Sequence, residues 1–294
     1  MRDLDENSIT TEALSRVSAA PDPRMRQISE ALIRHLHTFI REIEPTQAEW
    51  EAGIGFLTRV GQMCNANRQE FILLSDALGV SMLVDAINHR MPEGTTETTV
   101  FGPFFVQARK SFPLGANIAE DLEGTPMLVT GTVSSTSGAP LIEADIDVWH
   151  SDDEGYYDVQ QGDELAMRGH FRADDEGRFH FWSVRPRYYP IPDDGPVGDM
   201  LKAQGRHPFR PEHVHFMVAA AGHETLVTHV FAEGDPYLDS DVVFGVKNSL
   251  VTRFVEHEAG TAADGRIMNR NYVHLHYDFV LKARPPSAQA RSNR

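Results

Sequence analysis

The chain of 294 residues carries 43 acidic against 27 basic side chains, and its net charge of −16 argues against a nucleic-acid partner because no basic excess is available to neutralise phosphates. Apolar residues at 41% and charged residues at 24% describe an ordinary globular protein, long enough for a full core and a smaller companion domain. Its single cysteine, Cys64, excludes an internal disulfide and a thiolate metal cluster, so any metal site must use His, Asp, Glu or Tyr.

The N-terminal stretch "MRDLDENSITTEALSRV" lacks the basic start and apolar centre of a secretory signal. No apolar run approaches the roughly 20 residues that cross a bilayer, so a cytoplasmic protein that does not span a membrane is expected. From residue 22 to about 90 the pattern is helical. Met25, Ile28, Leu32, Leu36, Phe39 and Ile43 recur at three- and four-residue spacing. Thr46 and Glu49 occupy capping-box positions and mark a fresh helix start. "RQEFILLSDALGVSMLVDAINHR" reads as one or two further helices, more apolar and therefore expected to be more buried. "MPEGTTETTVFGPFFV" then breaks the helical pattern.

Beyond it the chain turns to short strands bounded by Gly, Pro or Asp: "MLVTGTV", "LIEADIDVWH", "RFHFWSVR", "HVHFMV", "LVTHVF" and "YVHLHYDFVL". In the second, Ile142, Ala144, Ile146 and Val148 alternate with Glu143, Asp145 and Asp147. Short strands without intervening helices predict an antiparallel sandwich or barrel. The expected fold class is therefore α+β, with a helical domain over 1–105 and an all-β sandwich over 106–294. The tail "KARPPSAQARSNR" is expected to be disordered.

The motif HxH occurs three times. His35 and His37 lie on a helix, where residues two apart point about 200° from each other and cannot readily share a metal. His274 and His276 lie on a strand, but they share its polar face with Asp278, and a solvated face explains them. His213 and His215 share a strand face with Met217, while Val214, Phe216 and Val218 share the other. Two imidazoles so placed can begin a metal site or simply line a polar face. Arg210 precedes them, and four of the seven tyrosines sit in two pairs, Tyr156–Tyr157 and Tyr188–Tyr189. Tyrosines commonly fill a sandwich interior. As ligands they would have to ionise from a pKa near 10, which a trivalent cation can drive, and phenolate oxygen suits Fe(III). Two imidazoles and two phenolates would make a ferric site without cysteine or carboxylate.

"DVWHSDDEGYYDVQ", "RYYPIPDDGPVGDML" and "GRHPFRPEHVHFMV" resemble the intradiol ring-cleavage dioxygenases. "TTETTVFGPFFV", "GDPYLDSDVVFGVK" and the helical stretch "RQEFILLSDALGVSMLVDAINHR" resemble the hydroxyquinol-cleaving branch of that family, and the similarity runs from about residue 20 to 280. The resemblance implies non-haem Fe(III) held by Tyr157, Tyr189, His213 and His215, with Tyr156 and Tyr188 structural. It implies Arg210 as an active-site arginine and a pocket wall of Leu73, Asp76, Val100, Phe101, Gly102, Pro103, Phe104, Ile191 and Val243. The implied reaction inserts both atoms of O₂ into an aromatic diol or triol. Hydroxyquinol (benzene-1,2,4-triol) would give maleylacetate, and catechol or a chlorocatechol would give a muconate. In the implied proton inventory the Tyr189 phenolate and a hydroxide each accept one substrate proton. Asp76 could accept a hydrogen bond from the third hydroxyl, or cap the helix that follows Ser75. His229 stands where catechol-cleaving members carry glutamine. A homodimer through the N-terminal helices is implied, with a phospholipid able to lie between them. Two other classes compete: a zinc hydrolase using His213, His215 and one of His170, His207 or His229, and a non-catalytic β-sandwich binding module whose histidines are structural.

Overall fold

The structure, a computed structural model, describes residues 2–65, 68–107, 110–120, 122–162 and 165–284. Of the tail expected to be disordered, residues 285–294 lie outside the described residues. The chain packs as two compact units, Met1–Arg59 and Val60–Arg294.

The first unit holds α1 (Ile9–Val17), α2 (Pro23–Ile43) and most of α3 (Gln47–Gln62). Asp22 caps α2 by accepting from the amides of Arg24 and Met25, and Pro23 supplies the preset φ of a first helical residue. The capping box before α3 is formed from both sides: the Glu49 amide donates to Thr46 Oγ1 at 3.3 Å and the Thr46 amide to Glu49 Oε2 at 2.8 Å. Arg41 ties α1 to α2 through Thr10 Oγ1 and the Glu6 carbonyl. The seam at Met25, Ile28, Leu32 and Leu36 stays about half exposed.

Because the packing division lies inside α3, α4 (Glu70–Ala77) and α5 (Val80–Asn88) fold with the strands, whereas the change from helical to strand pattern comes near residue 105. These two helices are more buried than α2 and α3, as expected, but carboxylates share their inward faces. Their inward faces hold Glu70, Leu73, Asp76, Ala77 and Asp85, and Phe71, Ile72, Leu83, Val84 and Ile87 are exposed. The inward carboxylates have partners: Glu70 pairs with Arg68 at 2.8 Å and accepts from the Val197 amide at 3.2 Å.

Two sheets make the sandwich. One contains β1 (Pro126–Ser135), β4 (Arg178–Val184), β10 (Phe254–His257), β13 (Tyr272–His276) and β14 (Phe279–Leu281). The other runs in the order β3 (Arg168–Arg172), β2 (Asp145–His150), β7 (His213–Ala219), β8 (Leu226–Ala232) and β9 (Val251–Thr252). Short pairs are formed by β5 (Tyr189–Pro190) with β6 (Phe209–Arg210) and by β11 (Gly260–Thr261) with β12 (Ile267–Met268). The remaining helices are α6 (Asp158–Gln161) and α7 (Pro196–Ala203). The sheets are mixed rather than purely antiparallel: β1 pairs in parallel with β13 and β14, and β8 with β9. Parallel pairing joins strands that are remote in sequence, which the local turn pattern does not encode.

Alternation decides what each sheet face does. Val129, Phe181, Leu275 and Phe279 meet Ile146, Phe171, Val214, Phe216 and Val218 in one apolar core, with Phe216 and Phe279 ring centroids 4.9 Å apart. The inward alternation of β2 begins at Ala144, since Ile142 is exposed and Glu143 takes a positive φ of 54°. With the even-numbered residues of β7 buried in the core, His213 and His215 face outward from the second sheet. There His215 lies in register between Trp149 of β2 and His229 of β8.

Candidate metal centre

Four donor atoms converge above the outer face of the second sheet. His213 and His215 come from β7, Tyr189 from β5, and Tyr157 from the turn that starts α6. Tyr157 Oη lies 3.0 Å from His215 Nε2, 3.4 Å from His213 Nε2 and 3.3 Å from Tyr189 Oη, and the two Nε2 atoms are 3.1 Å apart. Ligands about 2.1 Å from one ion and about 90–110° apart would be about 3.0–3.4 Å from each other, so the set fits a single metal ion. All four side chains are buried.

Their protonation agrees with that use. The Nδ1–H of His213 donates to the Pro211 carbonyl at 2.7 Å, which leaves the Nε2 lone pair turned toward the other donors. Burial, reinforced by neighbouring positive charge, holds both imidazoles well below their ordinary pKa and keeps them in the neutral, ligating form. Burial also pushes the Tyr157 phenol well above its ordinary value, and raises Tyr189, where the Arg210 charge opposes it. Two buried phenols ionise together only if a strongly charged cation compensates them. His215 is held by stacking on Trp149, with centroids 4.8 Å apart and planes 15° from parallel.

Beside the donors lies a buried cation. Arg210 donates from Nε to Asp241 Oδ1 at 3.1 Å and from NH2 to Oδ2 at 3.3 Å. Its NH1 lies 3.3 Å from His213 Nε2. His229 links this arginine to the backbone: its Nε2–H donates to the Val100 carbonyl at 2.9 Å, so Nδ1 carries the lone pair that accepts from Arg210 NH2 at 3.3 Å. Ring nitrogens of His213, His215 and His229 all lie within 4.8 Å of one another, yet both nitrogens of His229 are already hydrogen-bonded. His207 is bonded to Ser240, and His170 lies between Asp145 and Asp147. In this arrangement His229 bridges Arg210 and the Val100 carbonyl, and a three-histidine zinc site would leave the two buried phenols beside the imidazoles without a role.

The Dioxygenase family model matches residues 100–283, and the model described as the catechol dioxygenase N terminus matches residues 22–96. The chain belongs to the intradiol ring-cleavage dioxygenases. It is 50% identical to the hydroxyquinol 1,2-dioxygenase of a Rhizobium species, with 95% of each chain covered. It is 48% identical to the 6-chlorohydroxyquinol 1,2-dioxygenase of Cupriavidus pinatubonensis, covering 96% of this chain and 99% of that one. Among solved structures, hydroxyquinol 1,2-dioxygenase from Pseudomonas putida superposes with a TM-score of 0.90 at 48% identity, covering 95% of this chain and 99% of that one. The family uses non-haem iron.

Of the nine expected wall residues, Leu73, Asp76, Ile191 and Val243 are buried, Val100, Gly102 and Phe104 are half-buried, and Phe101 and Pro103 are exposed. Phe104 stacks on Tyr157 at 4.5 Å. Gly102 has a φ of +73°, and a Cβ there would come within 3.1 Å of His215 Cε1, so the loop approaches the His215 ring as only glycine can. Pro103 is exposed in the same turn, and Phe101 packs on Phe105 at 4.8 Å and remains 44% exposed. Val100 holds His229 through its carbonyl. Ile191 is buried two residues beyond Tyr189, and the amide of buried Val243 donates to Asp241 Oδ1 at 3.3 Å. Leu73 and Asp76 lie one turn apart on the buried face of α4. Asp76 does not cap the next helix: the N-cap of α5 is Gly79, with no side-chain cap. Burial raises the Asp76 pKa against the opposing effects of the Ser81 hydroxyl and the Arg210 charge. Tyr156 is half exposed, and Tyr188 packs on Tyr237 at 5.0 Å. Asp241 and Trp149 were not legible as site residues. Asp241 lay within a quoted stretch, but nothing local marks a carboxylate whose partner is 31 residues away.

No described helix is long and apolar enough to cross a membrane.

Proposed function

We propose that this dioxygenase cleaves hydroxyquinol between its adjacent hydroxyls at a ferric centre held by Tyr157, Tyr189, His213 and His215. The observation that carries the reading is the convergence of two phenols and two neutral imidazoles on one point beside a buried arginine, with a buried carboxylate, Asp76, electrostatically coupled to that arginine. The names of the relatives support the substrate. Non-haem Fe(III), when bound, supplies the Lewis acidity that ionises a chelating diol and the electron demand that opens the ring to O₂. Tyr189 Oη accepts one substrate proton; it stands next to Arg210, whose charge eases each passage through the phenolate. Arg210 stabilises negative charge developing on the substrate, and its bonds to Asp241 and His229 fix it before the reaction starts. Phe104 and Trp149 cover the donor set and exclude water. Asp76 accepts a hydrogen bond from the third ring hydroxyl. The balance is C₆H₆O₃ + O₂ → C₆H₆O₅, with both oxygen atoms retained in maleylacetate.

The same proposal includes a dimer formed through the helical part of residues 1–105, with room for phospholipid, supported by the half-exposed seam at Met25, Ile28, Leu32 and Leu36. It assigns residues 106–294 the iron site and a cytoplasmic setting, in keeping with a lone unpaired cysteine. Oxygen uptake by the iron-loaded enzyme tests the substrate. Because Asp76 already has a hydroxyl partner in Ser81, the absence of the third hydroxyl in catechol is only partly penalised. The expected preference is therefore roughly 100-fold in kcat/KM for hydroxyquinol over catechol, falling to about tenfold or less in Asp76→Leu. Equal use of both substrates by the unaltered enzyme would overturn the assignment of Asp76.

A further inference from the structure

Arg168 takes no part in the chemistry above, yet it is buried on the outer face of β3 with three hydrogen bonds made by two of its nitrogens. Its Nε and NH2 each donate to one oxygen of Asp158 at 2.5 Å, and NH2 also donates to the Phe104 carbonyl at 3.1 Å. Asp158 is the residue directly after Tyr157 and the first of α6. Its carboxylate further accepts from the Val159 amide at 2.8 Å and the Ala166 amide at 3.2 Å, so it is fixed by backbone on the C-terminal side of Tyr157. Phe104 is the residue whose ring lies over Tyr157, with planes 26° apart. One guanidinium therefore holds the carboxylate of the residue next to Tyr157 and the backbone carbonyl of the residue whose ring covers it.

We propose that Arg168 is a positioning residue for the metal centre: by clamping Asp158 to Phe104 it sets where the Tyr157 phenolic oxygen stands relative to the two histidines. The inference rests on the ferric reading above. The fork geometry is essential, because a planar guanidinium spans both carboxylate oxygens and a carbonyl at once, whereas an ammonium acts as a point charge. A clamp that served stability alone would leave the metal–phenolate bond unchanged.

The test uses the full-length protein loaded with Fe(III), unaltered and as Arg168→Met, Arg168→Lys and Phe104→Leu. Two readouts are taken: the visible tyrosinate-to-iron absorption per bound iron, and the rate of iron loss to a chelator. Melting of the iron-free proteins serves as the control for folding. Both Arg168 variants are expected to lose iron about 10–100-fold faster and to show a displaced or weakened band. Phe104→Leu, which keeps the clamp and removes the covering ring, is expected to move the band with a smaller change in iron loss. If Arg168→Met does not fold, Arg168→Lys decides. A folded Arg168 variant with the band and iron-loss rate of the unaltered protein overturns the clamp. Absence of the band from the unaltered, iron-loaded protein overturns the ferric reading itself, and the clamp with it.

Discussion

Removing the carboxylate at Asp241 is expected to destabilise the Val60–Arg294 unit severely. Arg210 and Asp241 are 2% and 5% exposed, so the guanidinium has no water to replace the lost charge. Asp241 also accepts from the Gly245 amide at 2.9 Å and the Val243 amide at 3.3 Å, and both donors lose a partner in Asp241→Ala. Breaking a buried pair from one side costs about 3–5 kcal/mol, because a charge is left desolvated and uncompensated. For a unit of this size that lowers the melting midpoint by roughly 6–20 °C. Denaturant unfolding of Asp241→Ala, Arg210→Met and the double variant separates the pair from its surroundings. The double variant is expected to be no less stable than Asp241→Ala, since it no longer buries a lone cation. A loss below about 1 kcal/mol in Asp241→Ala, or strict additivity in the double variant, would refute the buried-pair reasoning.

His229→Leu removes an acceptor from Arg210 and a donor from the Val100 carbonyl, and a hydrogen bond to a charged group is worth about 1.5–3 kcal/mol, so kcat/KM is expected to fall about 10–150-fold. His229→Gln, able to donate and accept at the same two places, is expected to retain most activity, and steady-state oxygen uptake checks both. His150 is buried with Nδ1–H on the Ser151 carbonyl and Nε2 accepting from Ser183, and burial lowers its pKa from 6.5 to about 4. Between those values the unfolded chain binds a proton that the folded chain refuses. Its contribution is therefore complete above pH 6.5 and lost as pH falls toward 4, by about 3 kcal/mol. Urea unfolding from pH 7 to 4 should show that loss, and His150→Gln should flatten it.

Period-two spacing on β7 made the outward pair His213 and His215 legible, because the apolar residues between them had to face a core. Tyr157 and Tyr189 became legible through their surrounding motifs, since a tyrosine alone looks the same in a core and at a metal. The starts of α2 and α3 could be read from Asp22, Pro23, Thr46 and Glu49, whose hydrogen bonds are local. The greater burial of α4 and α5 was legible, but not which residues turn inward, because hydropathy does not reveal that Glu70 and Asp85 have inward partners: Glu70 has Arg68, and Asp85 accepts from Thr98. Long-range devices were equally hidden. The pairing of β1 with β13 spans more than a hundred residues, and neither Asp241 nor Arg168 carries any local sign of the partner that buries it.

The most direct test of the ferric centre is the visible absorption spectrum of the purified, iron-loaded protein, recorded beside Tyr157→Phe and Tyr189→Phe. Two tyrosinates bound to Fe(III) predict a broad band and a red-brown colour, altered by each substitution. A fully metallated protein that is colourless, or whose band is indifferent to both substitutions, would contradict the centre proposed here.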